Sequence, residues 1–146
     1  MAQEVTNWDL EQWEIPQGFA FEDPVDWQTP NQYTTALSIY TTTKSTDAAS
    51  GLYSARLESI SLSGYVTPGV ITLGNFEVDF QNFTAYLTGG IPFTHKPIAL
   101  TGMWKNYPVE GDFTMIMVYF TKYSPSKGQS DTIGMGTLLG TETIDT

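Results

Sequence analysis

The chain has 146 residues, 40% of them hydrophobic, no cysteine, and sixteen Asp and Glu against six Lys and Arg, for a formal charge of −10. That length fits one domain with a real core, and the hydrophobic fraction excludes a disordered tail. The missing thiols exclude disulfides, thiol catalysis and zinc-thiolate sites, and the six scattered cations exclude a nucleic-acid partner, which needs clustered positive charge against phosphates.

The N-terminal residues 1–5 have neither a basic region nor an apolar stretch, so they do not read as a signal peptide. No apolar run approaches the ~18 residues of a membrane span, so insertion is not expected. Downstream, Thr, Tyr, Phe, Val and Ile dominate, and Gly or Pro interrupts every ten residues or so. This is the pattern of short strands joined by turns. A loop-like stretch, Gln17–Asn31, carries Gly18, Pro24, Pro30 and several aromatic residues. Strands are expected at Ala36–Thr42, Leu52–Leu62 and Val70–Leu73, then at Ile98–Tyr107, Phe113–Tyr123 and Thr132–Leu139. In the second of these, Tyr53, Ala55 and Leu57 alternate with Arg56 and Glu58. In Ile98–Tyr107, Ile98, Leu100 and Trp104 share one face and Met103, Lys105 and Tyr107 the other. Phe113–Phe120 is apolar on both faces, which suits a central, doubly covered strand. Tyr123–Ser130 reads as an exposed hairpin connection. Amphipathic helical stretches are missing, so an α/β fold is rejected. The expectation is all-β, with two stacked sheets in one module over residues 1–146.

Several segments together carry a resemblance. They are N-W-D-L-E-Q-W at Asn7–Trp13, V-D-W-Q-T-P-N at Val25–Asn31, S-T-D-A-A-S-G-L-Y-S-A-R-L-E-S at Ser45–Ser59 and T-P-G-V-I-T-L-G at Thr67–Gly74. To these add the long run at Gly89–Pro108, G-D-F-T-M-I-M-V at Gly111–Val118 and S-D-T-I-G at Ser130–Gly134. In order and spacing they resemble the jelly-roll modules of exported Bacteroidetes proteins classed as a carbohydrate-metabolism domain. The resemblance implies a galactose-binding-like jelly-roll β-sandwich, an extracellular or cell-surface location and some role in handling glycans. It also implies further strands beyond the S-D-T-I-G element, so the module is expected to be incomplete at its C-terminus. It would then be completed by neighbouring residues or by another copy pairing on an open sheet edge. The same jelly rolls hold a structural calcium, and the matching positions here are Glu11 and Asp47. Otherwise no cofactor is called for.

Sugar binding needs an aromatic platform with polar groups at its edge. Trp27 and Tyr33, in or beside a loop, are the expected platform, while Trp8, Trp13 and Trp104 are assigned to the core. A polar floor is expected from Arg56, Glu58, Lys105 and Tyr107. The simpler reading of those four is a solvated sheet face with an ion pair. A hydrolase would need two carboxyls facing each other across a bond. Glu58, Glu77, Asp79 and Asp112 are available, but sixteen acids make chance pairs unavoidable. His95 is the single histidine and has no G-x-S-x-G element beside it, so it reads as an ordinary loop residue. The expected function is therefore non-catalytic binding of a polysaccharide or glycan. The alternatives are a structural or adhesive module of a surface assembly and, behind it, a glycoside hydrolase.

Overall fold

A computed structural model describes residues 5–62, 64–82, 84–109 and 111–145. Among the described residues strands dominate, every ladder is antiparallel, and helix is confined to one short turn, α1 (Asn31–Thr34), continued by a 3-10 turn at Thr35–Leu37. The all-β expectation holds at that level. The expected pair of large sheets is not what the hydrogen bonds build, since the described ladders are five separate two-stranded pairs. The chain divides into two compact units, Met1–Lys96 and Pro97–Thr146. No helix among the described residues is long and apolar enough to cross a membrane.

In the first unit, β1 (Trp13–Glu14) pairs with β2 (Asp23–Pro24), and β3 (Thr42–Ser45) with β4 (Ser54–Leu57). Next, β5 (Ile60–Leu62) pairs with β6 (Tyr65–Thr67), and β7 (Asn75–Asp79) with β8 (Thr84–Thr88). The expected strand Ala36–Thr42 is displaced. Its first residues coil into the 3-10 turn, and Ser38 closes that turn in the left-handed region at φ 54°. The expected strand Leu52–Leu62 is broken at Glu58–Ser59, and Val70–Leu73 makes only a bridge from Thr72 to Gln28.

Little of this unit is held by apolar burial. Phe21 and Phe76 are the buried hydrophobic residues among those described. Two buried asparagines carry much of the cohesion instead. Asn31 is fully buried. Its amide nitrogen donates to Asp23 Oδ1 at 2.9 Å and to the Thr42 carbonyl at 2.8 Å. Its side-chain oxygen accepts the N–H of Thr41 at 3.1 Å and of Thr42 at 3.3 Å. One side chain thus ties α1 to β2 and β3 with its hydrogen-bonding groups satisfied, the condition under which a buried polar group is tolerated. Asn7 does the same for the N-terminal loop. It donates to the carbonyls of Gln12 at 2.9 Å and Val25 at 3.0 Å and accepts the Gln12 N–H at 2.9 Å. Gly69 sits where segments crowd: a Cβ there would stand 2.6 Å from the Thr41 carbonyl oxygen and 2.8 Å from the Leu57 Cα. Only glycine fits such an approach.

The second unit is organised by one long hairpin, β9 (Thr114–Ser124) with β10 (Gln129–Gly140). The turn closes as expected, with the N–H groups of Lys127 and Gly128 donating to the Ser124 carbonyl and Gly128 at φ 66°. Ile133 is an extra residue between Thr132 and Gly134, a β-bulge in the ladder. The central position expected for Phe113–Phe120 is not found: among the described residues β9 pairs with β10 alone. Nor is Ile98–Tyr107 a strand. Pro97 opens it and Gly102 interrupts it, and Asn106 alone makes a bridge, to Ile144. Alternation without a pairing partner does not make a strand, and Ile98 is fully solvent-exposed. Asn106 is the buried amide of this unit, donating to the Glu142 carbonyl at 2.8 Å and accepting the Thr114 hydroxyl at 2.6 Å.

Candidate functional site

The first unit carries an open cleft of about 420 Å³ beside the β1–β2 hairpin, within the ~300–1,000 Å³ range of small-molecule sites. Trp27, Phe19 and Phe21 supply its rings, and Gln28, Gln32 and Asn75 supply amides. Glu14, Asp23 and Asp26 supply carboxylates.

Local structure fixes Trp27 tightly. Its backbone N–H donates to the Pro24 carbonyl at 3.1 Å, closing a turn in which Asp26 adopts φ 65°. Asp tolerates the left-handed region better than most residues. The indole N–H donates to the Asn7 carbonyl at 3.1 Å. The Trp8 ring lies 6.1 Å away, tilted by 35°. Gln28 is then held by paired backbone bonds to Thr72, at 2.8 and 3.0 Å. Elsewhere in the lining, Phe19 rests on Phe21 with ring centroids 5.0 Å apart, and Phe21 rests on Tyr40 at 5.7 Å. Asp23 forms the polar wall. Its Oδ1 accepts the Thr29 hydroxyl at 2.8 Å as well as the Asn31 amide. Burial pushes its carboxyl above the usual carboxylate range, and those two hydrogen bonds pull the other way.

The structure divides the sequence-predicted residues. Trp27 lines the cleft. Tyr33 is not among the residues lining the cleft: its half-buried ring lies beside Phe76 and Phe80 at 5.9 and 6.1 Å, and its hydroxyl donates to the Phe76 carbonyl at 2.9 Å. Arg56 and Glu58 pair with each other at 3.1 Å, both well exposed, in the first unit. Lys105 and Tyr107 belong to the second unit and lie outside any strand, and the Tyr107 hydroxyl donates to Asp145. The four therefore do not share one strand-built face. Trp8 departs from its core assignment, being 47% exposed. Trp13 is half-buried and donates to the Leu10 carbonyl at 2.7 Å, and half-buried Trp104 lies against Gly140.

Glu11 has a definite task. Its two carboxylate oxygens accept the Leu52 N–H, both at 3.0 Å, and one also accepts the Tyr53 N–H at 3.1 Å. The close approach requires Gly51, which has φ 71° and no room for a Cβ beside that carboxylate. Calcium takes six to eight oxygens. Among the described residues no group of three or more His, Cys, Asp or Glu side chains could hold a metal. The backbone of Asp47 is tied to its own loop, its N–H donating to Ser45 Oγ and its carbonyl accepting the Ser54 hydroxyl.

The carboxylates considered for hydrolysis have local partners. Asp79 accepts the N–H groups of Gln81 and Asn82 and the Asn82 side-chain amide, and these bonds hold its carboxyl below the usual range. Asp112 accepts the Phe113 N–H, and Glu77 accepts the Thr88 hydroxyl. His95 is exposed, with its ring edge-on to Phe93 at 6.1 Å.

Sequence reasoning missed Asn7, Asn31 and the amides Gln28, Gln32 and Asn75. Strand periodicity marks apolar positions only, so a buried amide looks like a surface one. Comparison with known proteins returns no match to a family model, a curated protein or a solved structure.

Proposed function

We propose that the chain is a non-catalytic carbohydrate-binding module and that the cleft beside Trp27 is its binding site. One observation carries the reading: an immobilised indole stands beside amide and carboxylate groups in a cleft of small-molecule size. A sugar presents a C–H face that stacks on a ring and hydroxyls that need both donors and acceptors. The resemblance to exported Bacteroidetes carbohydrate-metabolism modules supports it too, and with it a galactose-binding-like jelly roll at the cell surface. Titration of the whole chain with neutral oligosaccharides tests the reading. Saturable binding is expected, weakened at least tenfold by Trp27→Ala, which is about 1.4 kcal/mol. Retention of no glycan, or binding indifferent to Trp27→Ala, would sink it.

A second reading, a structural or adhesive module, is favoured by an exposed apolar face of the β9–β10 hairpin. Cross-strand partners share a face, so Met115 with Leu139 and Tyr119 with Met135 form one apolar strip. Met135 is 70% and Leu139 60% exposed. Sedimentation at rising concentration checks it: a monomer throughout would count against self-assembly.

A further inference from the structure

We infer that the cleft sorts glycans by charge, taking amino sugars in preference to neutral ones and rejecting uronic acids; this rests on the carbohydrate reading above. The ring-lined cleft is the site, and its ionisable lining is of one sign. Glu14, Asp23 and Asp26 contribute carboxylates, and no Lys, Arg or His among the described residues lines it. The sequence explains the asymmetry. Residues 1–43 hold seven acids and no Lys, Arg or His. Lys44, the first cationic side chain in the sequence, is itself paired with Glu22 at 2.6 Å.

A concave wall of one sign focuses its field into the cleft, where solvent screens charges less than on an open surface. A uronate entering would bring its carboxylate against Glu14 and Asp26 with no cation to pair it. Uncompensated like charges give rejection, the repulsive half of specificity. The ammonium of a glucosamine unit reverses the sign and adds charge-assisted hydrogen bonds to the same carboxylates. A neutral N-acetylated unit keeps stacking and hydroxyl contacts only, and falls between.

The test uses the full chain and three oligosaccharides of equal length, built from glucosamine, N-acetylglucosamine or galacturonic acid. Binding is measured by calorimetry in mildly acidic buffer, where the amines are charged. The glucosamine chain is expected to bind at least tenfold tighter than the galacturonate chain, with the N-acetylated chain between them. Raising salt from about 20 to about 300 mM shortens the Debye length and should shrink the spread. Glu14→Gln with Asp26→Asn should bring the three affinities together. Glu77→Gln with Asp131→Asn removes the same formal charge outside the cleft and should leave the spread intact. Equal affinities in the unaltered chain, tighter galacturonate binding, or a spread that only the second pair abolishes would overturn the inference while leaving a carbohydrate module standing. Binding of none of the three, nor of any neutral sugar, would remove both.

Discussion

The Asn31 network and the β9–β10 hairpin are two opposite ways of holding strands. Around Asn31, short strands of two to four residues are fixed by a buried amide whose four contacts tie its own helical turn to two strands. In the hairpin, strands of eleven and twelve residues hold each other by their ladder, and large apolar side chains stay at the surface. The first arrangement is specific because every buried polar group needs its own partner. The second is permissive, since a two-stranded hairpin alone is at best marginally stable in water and its side chains meet few others. Substitutions at a saturated buried amide should therefore cost far more than substitutions at exposed hydrophobic residues of the ladder.

The sharpest way to break that contrast is Asn31→Ala. It leaves the Thr41 and Thr42 N–H groups and the Thr42 carbonyl without their partner in a buried setting. At about 1–3 kcal/mol for each unsatisfied group, a loss on the order of 3 kcal/mol or more is expected by chemical denaturation. A loss below about 1 kcal/mol would show that the network does not hold the unit. Gly69→Ala comes next. Its methyl group would collide with backbone of Thr41 and Leu57, which cannot swing aside as a side chain can. Overpacking of this kind costs about 1–3 kcal/mol, visible as a lowered denaturation midpoint at unchanged slope.

The same contrast explains what the sequence could reveal. The Ser-Pro-Ser-Lys-Gly turn and the flanking runs rich in strand-forming residues mark β9 and β10 within a few residues, because composition and a turn are local signals. Trp27 was legible from its loop setting as a ring outside the core, and it lines the cleft. Asn31, Asn7 and the cleft amides were not, because their role depends on which carbonyls arrive from elsewhere in the unit. The setting of Tyr33 was hidden for the same reason: nothing local announces that Phe76 and Phe80 will lie beside its ring. Ile98–Tyr107 shows the converse error, in which a strand-like pattern finds no ladder to join.

A smaller effect separates the charge of the Asn31 network from its hydrogen bonds. The folded carboxyl of Asp23 is raised above its unfolded value, chiefly by burial. For such a group the stabilising contribution is full below the unfolded value and is lost as pH rises through the raised folded one. Asp23→Asn keeps an oxygen to accept from Thr29 and Asn31 but does not ionise. The unaltered chain should therefore lose stability relative to Asp23→Asn as pH rises across that acidic window, and the difference should then level off. Asp79, whose carboxyl is lowered, works in the opposite direction: its contribution is present above the unfolded value and fades as pH falls through the folded one. It is common to both proteins and cancels in the difference. A flat difference would place the Asp23 carboxyl in ordinary solvent.

The smallest expected effect lies on the hairpin and gives the comparison its other pole. Met135 faces Tyr119 across the ladder, two residues beyond the bulge at Ile133, and is 70% exposed. Replacing it by Thr removes a flexible thioether and introduces a β-branched residue suited to a strand. Little burial is lost, so the net change should stay within about 0.5 kcal/mol, the usual range for surface positions. Denaturation of Met135→Thr at low and high protein concentration provides the check. A small change at both concentrations would confirm that the ladder is held by its backbone and that this face is bare. A loss above about 1 kcal/mol that grows with concentration would mean that the strip of Met115, Tyr119, Met135 and Leu139 is covered by another copy. The hairpin would then derive its stability from packing after all, and the contrast with the Asn31 network would narrow to a difference in what does the covering.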